Sequence, residues 1–163
     1  CHMFLTTLES PFGLLTLSTN EIALTGLWLH NQTHFPSNLK GKHQPDHPIF
    51  RQTEDWLNAY FKKDELPQLP PLSPHGTPFQ QAVWQQLLQI PYGETITYGA
   101  VAARLRSQGL TASAQAVGGA VGRNPILILI PCHRVIGANG SLTGYAGGLP
   151  VKQKLLEIEC KVN

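Results

Sequence analysis

Five prolines, Pro67, Pro70, Pro71, Pro74 and Pro78, fall within twelve residues near the middle of this 163-residue chain. Each lacks a backbone donor and pushes its predecessor out of the helical region, so no helix or central strand runs through the segment. The chain is therefore read as two pieces, 1–75 and 76–163. The length allows two small cores or one large one.

Before the prolines, 4–9, 14–19 and 22–30 are short runs rich in Leu, Thr and Ile. They are separated by Ser10-Pro11-Phe12-Gly13 and Asn20-Glu21, which predicts an antiparallel meander. A polar stretch, 31–44, follows. From Pro48 to Lys63, Ile49, Phe50, Trp56, Leu57, Tyr60 and Phe61 recur at helical spacing, as in a helix packed on a sheet.

Beyond the prolines, Thr77 is a good N-cap, Pro78 suits the first helical position, and Phe79, Ala82, Val83, Leu87 and Ile90 form an apolar face. Pro91-Tyr92-Gly93 stops that helix. A second helix is expected from about Thr97 through Val101, Ala102 and Leu105, and a third from about Thr111 to Gly122. Together they read as a helix-turn-helix. The third carries Ala112, Ala114, Ala116, Gly118, Gly119 and Ala120. Paired glycines cost about 1 kcal/mol each inside a helix, so they imply either close helix packing or close approach of a ligand. A strand is expected at 126–130. The last helix, from about Pro150 to Cys160, should turn Val151, Leu155 and Ile158 inward.

Charge is unevenly placed. Five Lys and Arg oppose seven Asp and Glu before residue 76, and seven oppose three after it. A basic second half fits a polyanionic partner or merely a solvated face. No apolar run approaches the roughly 18 to 20 residues that span a bilayer, and the start lacks the pattern of a secretory leader. A soluble, cytoplasmic protein without a membrane partner is expected. Of the three cysteines, Cys1 precedes the only methionine, Met3, with His2, and reads as a remnant of expression. Cys132 and Cys160 fit neither a disulfide framework nor a Cys-rich zinc site. The histidines His30, His34, His43, His47 and His75 are scattered, so no metal is expected.

The chemistry concentrates in Ile126 to Gly137, ILILIPCHRVIG. A cysteine attacks as thiolate, and a pKa of about 8.5 leaves little thiolate near neutrality. His133 is a candidate base, Arg134 a cation that favours the thiolate or braces the turn, and a carboxylate from elsewhere would orient the imidazole. Adjacent strand residues face opposite ways, so His133 reaches Cys132 only if Pro131 turns the chain or a water bridges them. An isolated Cys-His pair is also compatible with a buried thiol beside a surface histidine.

That run, with Ala116-Val117-Gly118-Gly119-Ala120, Asn124-Pro125, Ile90-Pro91-Tyr92-Gly93, Thr97-Tyr98 and Gly144-Tyr145-Ala146-Gly147-Gly148-Leu149, resembles O6-alkylguanine-DNA alkyltransferases over nearly all of 77–159. The resemblance implies an α/β N-terminal domain, a small antiparallel sheet with a helix in a ribonuclease-H-like arrangement. It also implies a mainly α C-terminal winged helix-turn-helix domain. It implies that Cys132 takes the alkyl group from O6 of guanine once and irreversibly, without a cofactor. His133 would be a water-mediated base oriented by Glu159, Asn124 would brace the turn, and Tyr98 would donate to the departing guanine. Tyr145 would wall the pocket, with backbone around Val135, Ala146 and Gly147 reading an extruded base. Gln115, Ala116, Gly118, Gly119 and Arg123 would meet the minor groove of double-stranded DNA carrying O6-alkylguanine, the protein acting as a monomer or as several copies along the duplex. The family usually has arginine where this chain has Gln115, which implies weaker binding or slower base extrusion.

A DNA-binding sensor without chemistry and a cysteine hydrolase are the competing readings. Cys132 argues against the first, and the second leaves the helix-turn-helix and the Gly-Gly helix unexplained.

Overall fold

The structure is a computed structural model that describes residues 3–30, 32, 35–142 and 144–160. The expectations for Cys1, His2 and His34 fall outside these residues. The chain divides into two compact units, Cys1–His75 and Gly76–Asn163.

In the first unit, β1 (Phe4–Ser10), β2 (Gly13–Thr19) and β3 (Leu24–Leu29) form the antiparallel meander. Its first turn is closed by Ser10, whose hydroxyl donates to the Gly13 carbonyl at 2.6 Å and accepts from the Phe12 N–H. Asn20 Oδ1 accepts from the Ile22 and Ala23 N–H groups and closes the second, the side chain standing in for a strand partner. The sheet is not wholly antiparallel. A short strand from the polar stretch, β4 (Lys42–His43), pairs parallel to β1. The proline segment is tied to the open edge of β3, where Leu24 N–H donates to Pro71 and Ser73 N–H donates to Leu24, each at 2.8 Å. This covers backbone groups that would otherwise template aggregation. Helix α1 (Pro48–Phe61) starts with Pro48 at its first position and His47 as cap, and buries Ile49, Phe50, Trp56, Leu57 and Tyr60.

The second unit opens with α2 (Pro78–Leu87). Thr77 and Gln80 cap it reciprocally, each side chain bonding the other's backbone N–H, an arrangement whose N-cap alone is worth about 1 kcal/mol. After β5 (Ile96–Thr97) come α3 (Tyr98–Ser107), capped by Thr97, and α4 (Ala114–Gly122), capped by Ser113. These two helices are the helix-turn-helix. Helix α4 begins three residues later than its apolar pattern indicated, because Ser113 is extended and its hydroxyl accepts from Ala116 N–H. Trp84 Nε1 donates to the Ala120 carbonyl at 2.9 Å and locks α2 to α4. The unit closes with β6 (Val135–Ile136), parallel to β5, and α5 (Leu149–Glu159).

Residues 126–130 are not a strand. Their five side chains are buried, but the backbone turns repeatedly. Leu129 N–H donates to the Leu127 carbonyl at 2.8 Å across Ile128, whose φ of 72° makes this the rare γ-turn of positive φ. Cys132 N–H donates to Ile130 at 2.8 Å across Pro131, at φ −81° and ψ 63°, an inverse γ-turn. Asn124 holds both ends of this turn: Oδ1 accepts from Ile126 N–H at 3.0 Å and Nδ2 donates to the Ile130 carbonyl at 2.9 Å.

Helix α5 also departs from the apolar pattern. Its buried residues are Lys152, Leu155 and Glu159, while Val151 and Ile158 are half-buried. Apolar spacing identified a neighbouring face that shares only Leu155. The charged side chains go inside because partners await them there.

Candidate active site

Pro131 ends the buried turns and a single 3-10 turn, Cys132–Arg134, follows. That turn resolves the alternation problem, because its three consecutive side chains do not alternate as a strand's would, and all three are buried. His133 is 0% exposed and Cys132 1%, so the histidine is not a surface residue beside a buried thiol.

Glu159 anchors the histidine. Its Oε2 meets His133 Nε2 at 2.5 Å, its two oxygens accept from Arg134 Nε and Nη2 at 2.7 and 3.1 Å, and Oε1 accepts from Gly93 N–H at 3.2 Å. A carboxylate only accepts, so Nε2 carries the proton and a neutral imidazole keeps Nδ1 as its basic nitrogen. Burial pushes the His133 pKa below its ordinary value against the pull of Glu159, which favours that neutral form.

Arg134 braces the turn. Besides its fork on Glu159, Nη1 donates to the Ile90 carbonyl at 2.7 Å and the guanidinium lies 5.7 Å from the centre of the Tyr92 ring. Tyr92 donates in turn to Ile158 at 3.2 Å, so the Pro91-Tyr92-Gly93 stop clasps the end of α5. Of the two sequence readings of Arg134, bracing is the one the contacts support.

Burial also pushes the Cys132 thiol up to about 11. A hydrogen bond from Asn124, the charge of Lys152 and a backbone hydrogen bond oppose the rise. The cation acting on the sulfur is thus Lys152, which sequence reasoning counted only as charge. It is 0% exposed, its Nζ donates to the Val135 carbonyl at 2.7 Å, and it lies 5.9 Å from the Tyr98 ring centre. A lysine between Val151 and Gln153 on an amphipathic helix carries no sequence signal of burial.

The parallel pair β5/β6 brings Tyr98, the first residue of α3, to the exit of the cysteine turn. Tyr145 and Ala146 are buried, Gly147 is half-buried, and Gly148 N–H donates to the Tyr145 carbonyl. Lys152 links this loop to Val135, reaching the Gly144 carbonyl at 3.5 Å. Both backbone groups of Val135 are engaged, its N–H with Cys132 and its carbonyl with Lys152.

On α4, Gln115, Ala116 and Gly119 are exposed, Gly118 is half-buried, and Arg123 is exposed just past the helix end. A Cβ on Gly119 would meet nothing within 4 Å, and one on Gly118 would make only ordinary contact, 3.8 Å, with Tyr98. Helix packing therefore does not demand these glycines, and the choice left open by the sequence falls to an open face. Cys160 is exposed at the end of α5. Among the described residues no three His, Cys, Asp or Glu are arranged to hold a metal ion, and no helix is long and apolar enough to cross a membrane.

The second unit thus combines a cysteine in a buried turn, a histidine oriented by Glu159 and a helix-turn-helix, the arrangement of a DNA-binding protein with a candidate nucleophile. Residues 78–161 match the family described as 6-O-methylguanine DNA methyltransferase, DNA binding domain, and residues 3–74 match its ribonuclease-like domain. The chain belongs to the 6-O-methylguanine DNA methyltransferase family, whose activity is direct alkyl transfer in DNA repair. It is 48% identical over 153 residues to the methylated-DNA–protein-cysteine methyltransferase of Mycobacterium tuberculosis H37Rv, covering 94% of this chain and 90% of that one. The enzyme of that name from Methanosarcina acetivorans is 41% identical over 165 residues, covering 96% of this chain and 98% of that one. Among solved structures, the M. tuberculosis O6-methylguanine methyltransferase superposes with a TM-score of 0.85 at 46% identity, covering 96% and 92% of the two chains. M. tuberculosis OGT in complex with DNA gives 0.85 at 45% identity, covering 98% and 92%.

Proposed function

We propose that Cys132 is the acceptor thiol, receiving the alkyl group from O6 of guanine in double-stranded DNA. The observation that carries this reading is the contact between His133 Nε2 and Glu159 Oε2, which leaves Nδ1 as a base beside a buried cysteine. His133 takes the thiol proton through a water. The sulfur attacks the alkyl carbon, the S–C bond forms, and the O6–C bond breaks with its electrons passing to guanine. Tyr98 donates a proton to the departing guanine, because an anionic base is a poor leaving group. The thioether has no return path, so each molecule acts once and needs no cofactor.

A thiol in a buried turn cannot reach a base stacked in a duplex, so the base must be extruded. Tyr145, Ala146 and Gly147 line its pocket, with Val135 at the wall. Asn124 holds the turn in register and hydrogen-bonds the sulfur. The open face of α4, with Gln115, Ala116, Gly118 and Gly119, enters the minor groove with Arg123 near the backbone, and contacts largely independent of sequence suit a repair protein. Gln115 fills the gap left by the extruded base without a charge. The protein acts as a monomer.

The test is to mix the chain with duplex DNA containing O6-methylguanine and weigh its peptides. One methyl on the Cys132 peptide, absent from Cys132→Ser, is the expected result. Tight binding without added mass, or turnover of an ester or amide, overturns the reading.

A further inference from the structure

Glu159 is the last residue of α5, and Cys160 leaves the helix with extended backbone at φ −65° and ψ 125°. Carbonyls of a last helical turn lack intrahelical partners, and such ends fray. The carboxylate that orients His133 thus hangs from the least secured turn of its helix. Cys160 N–H closes on the Glu157 carbonyl at 3.2 Å. The Ile158 carbonyl is taken by half-buried Tyr92, whose hydroxyl donates to it at 3.2 Å from 66 residues away.

The loop around Tyr92 meets the same assembly at three more points. The Tyr92 ring lies 5.7 Å from the Arg134 guanidinium, within reach of a cation–π attraction. Gly93, at a φ of 81° that suits glycine, donates its N–H to Glu159 Oε1 at 3.2 Å. Ile90 accepts from Arg134 Nη1 at 2.7 Å. The carboxylate receives Gly93 and Arg134 Nε on Oε1, and His133 and Arg134 Nη2 on Oε2. Residues 90–93 therefore supply or hold every donor except His133, and the Tyr92 hydroxyl ties them to the backbone that carries Glu159. The charged groups acting on His133 are Glu159, Arg134 and Lys152.

We propose that Tyr92 is a positioning residue for alkyl transfer: its hydroxyl pins the last turn of α5 to the loop that holds Arg134, and so keeps Glu159 where it orients His133. The inference rests on Cys132 being the acceptor and His133 its base. Without the hydroxyl the last turn opens part of the time and Glu159 leaves Nε2. The imidazole proton is then free to sit on Nδ1, and a protonated Nδ1 cannot take the thiol proton. DNA binding is spared, because in the same reading α4 carries that surface.

The experiment uses the full chain and Tyr92→Phe, which keeps the ring and deletes the hydroxyl. With 15N-histidine labelling, the His133 signals are identified by their absence from His133→Gln. At about pH 7.5 and without DNA, the parent should show one protonated and one bare ring nitrogen with well-separated shifts. In Tyr92→Phe the two shifts should move toward each other. Single-turnover transfer from saturating O6-methylguanine duplex DNA should slow about two- to fivefold, as one lost hydrogen bond allows, with the Kd for that DNA within about twofold of the parent's. Tyr92→Leu, which also removes the ring from Arg134, should slow transfer about tenfold or more. If Tyr92→Leu does not fold, Tyr92→Phe decides alone. Parental nitrogen shifts in Tyr92→Phe overturn the proposal whether or not transfer slows, because any loss then does not pass through His133. Absence of methyl transfer in the parent defeats the acceptor reading instead, while the nitrogen shifts, read without DNA, still decide whether Tyr92 holds Glu159 against His133.

Discussion

His133 and Glu159 stand 26 residues apart in sequence and meet at 2.5 Å, both almost wholly withdrawn from solvent. The carboxylate fixes which ring nitrogen is basic and also neutralises buried Arg134. Glu159→Gln keeps the shape and loses the charge. Methyl transfer per folded molecule should fall about 10- to 1000-fold, and stability by about 3–5 kcal/mol because Arg134 loses its counter-ion. Single-turnover kinetics and urea unfolding measure the two effects, and a rate within twofold of the parent contradicts the assignment.

Acid should destabilise the second unit through His133. Burial holds its pKa below the ordinary 6.5, opposed by Glu159 and assisted by Arg134 and Lys152. The unfolded chain binds a proton that the folded chain refuses, so this contribution is complete above about pH 6.5 and declines as pH falls toward the lower folded value. The urea midpoint should drop between about pH 7 and pH 5. His133→Gln, which retains a donor for Glu159, should flatten that dependence; an equally steep slope in the variant removes His133 as its source.

Ile128 occupies a backbone conformation that suits glycine, at φ 72°, while its side chain is buried. Either truncation loses about 2–5 kcal/mol of packing. Between the truncated forms the usual order should invert. Glycine is ordinarily the less stable by about 0.5–1 kcal/mol, but alanine here carries a left-handed penalty of about 1–2 kcal/mol. Thermal melts should therefore place Ile128→Gly above Ile128→Ala.

Gly119 faces open space from a helix. Gly119→Ala should stabilise the free protein by about 0.5–1 kcal/mol through helix propensity. The same methyl should weaken DNA binding several-fold if this face lies against sugar and phosphate. Stabilisation with unchanged affinity would place the groove elsewhere.

Gln115 is exposed on the first turn of α4. Gln115→Arg should bind duplex DNA more tightly and speed single-turnover transfer, because a cation fills the gap of an extruded base with added attraction to phosphate. No gain in either measurement removes the idea that glutamine limits this chain.

Much of the architecture was written locally. Thr77, Pro78 and Gln80 start α2 with their own side chains, Asn20 and Ser10 close turns within four residues, and Pro131 ends one backbone path and begins another. Such signals survive in a linear reading because both partners are neighbours. The residues of the proposed site, Asn124, Cys132, His133, Tyr145 and Glu159, were instead named through the resemblance of their surrounding motifs, since a Cys-His pair read alone is equally compatible with a buried thiol beside a histidine.

Tertiary structure alone decided which face of α5 goes inside. Apolar periodicity placed Val151, Leu155 and Ile158 there, whereas the fold buries Lys152, Leu155 and Glu159. A charge enters a core only where partners compensate its lost hydration, and these lie far along the chain: His133 at 26 residues from Glu159, Gly93 at 66, and Val135 at 17 from Lys152. The run 126–130 follows the same logic. Five apolar residues look like a strand until the Asn124 amide satisfies both ends of a turn. The sequence by itself determined which residue types were available to the chemistry, while long-range hydrogen bonds decided which of them could be buried, and therefore which could act.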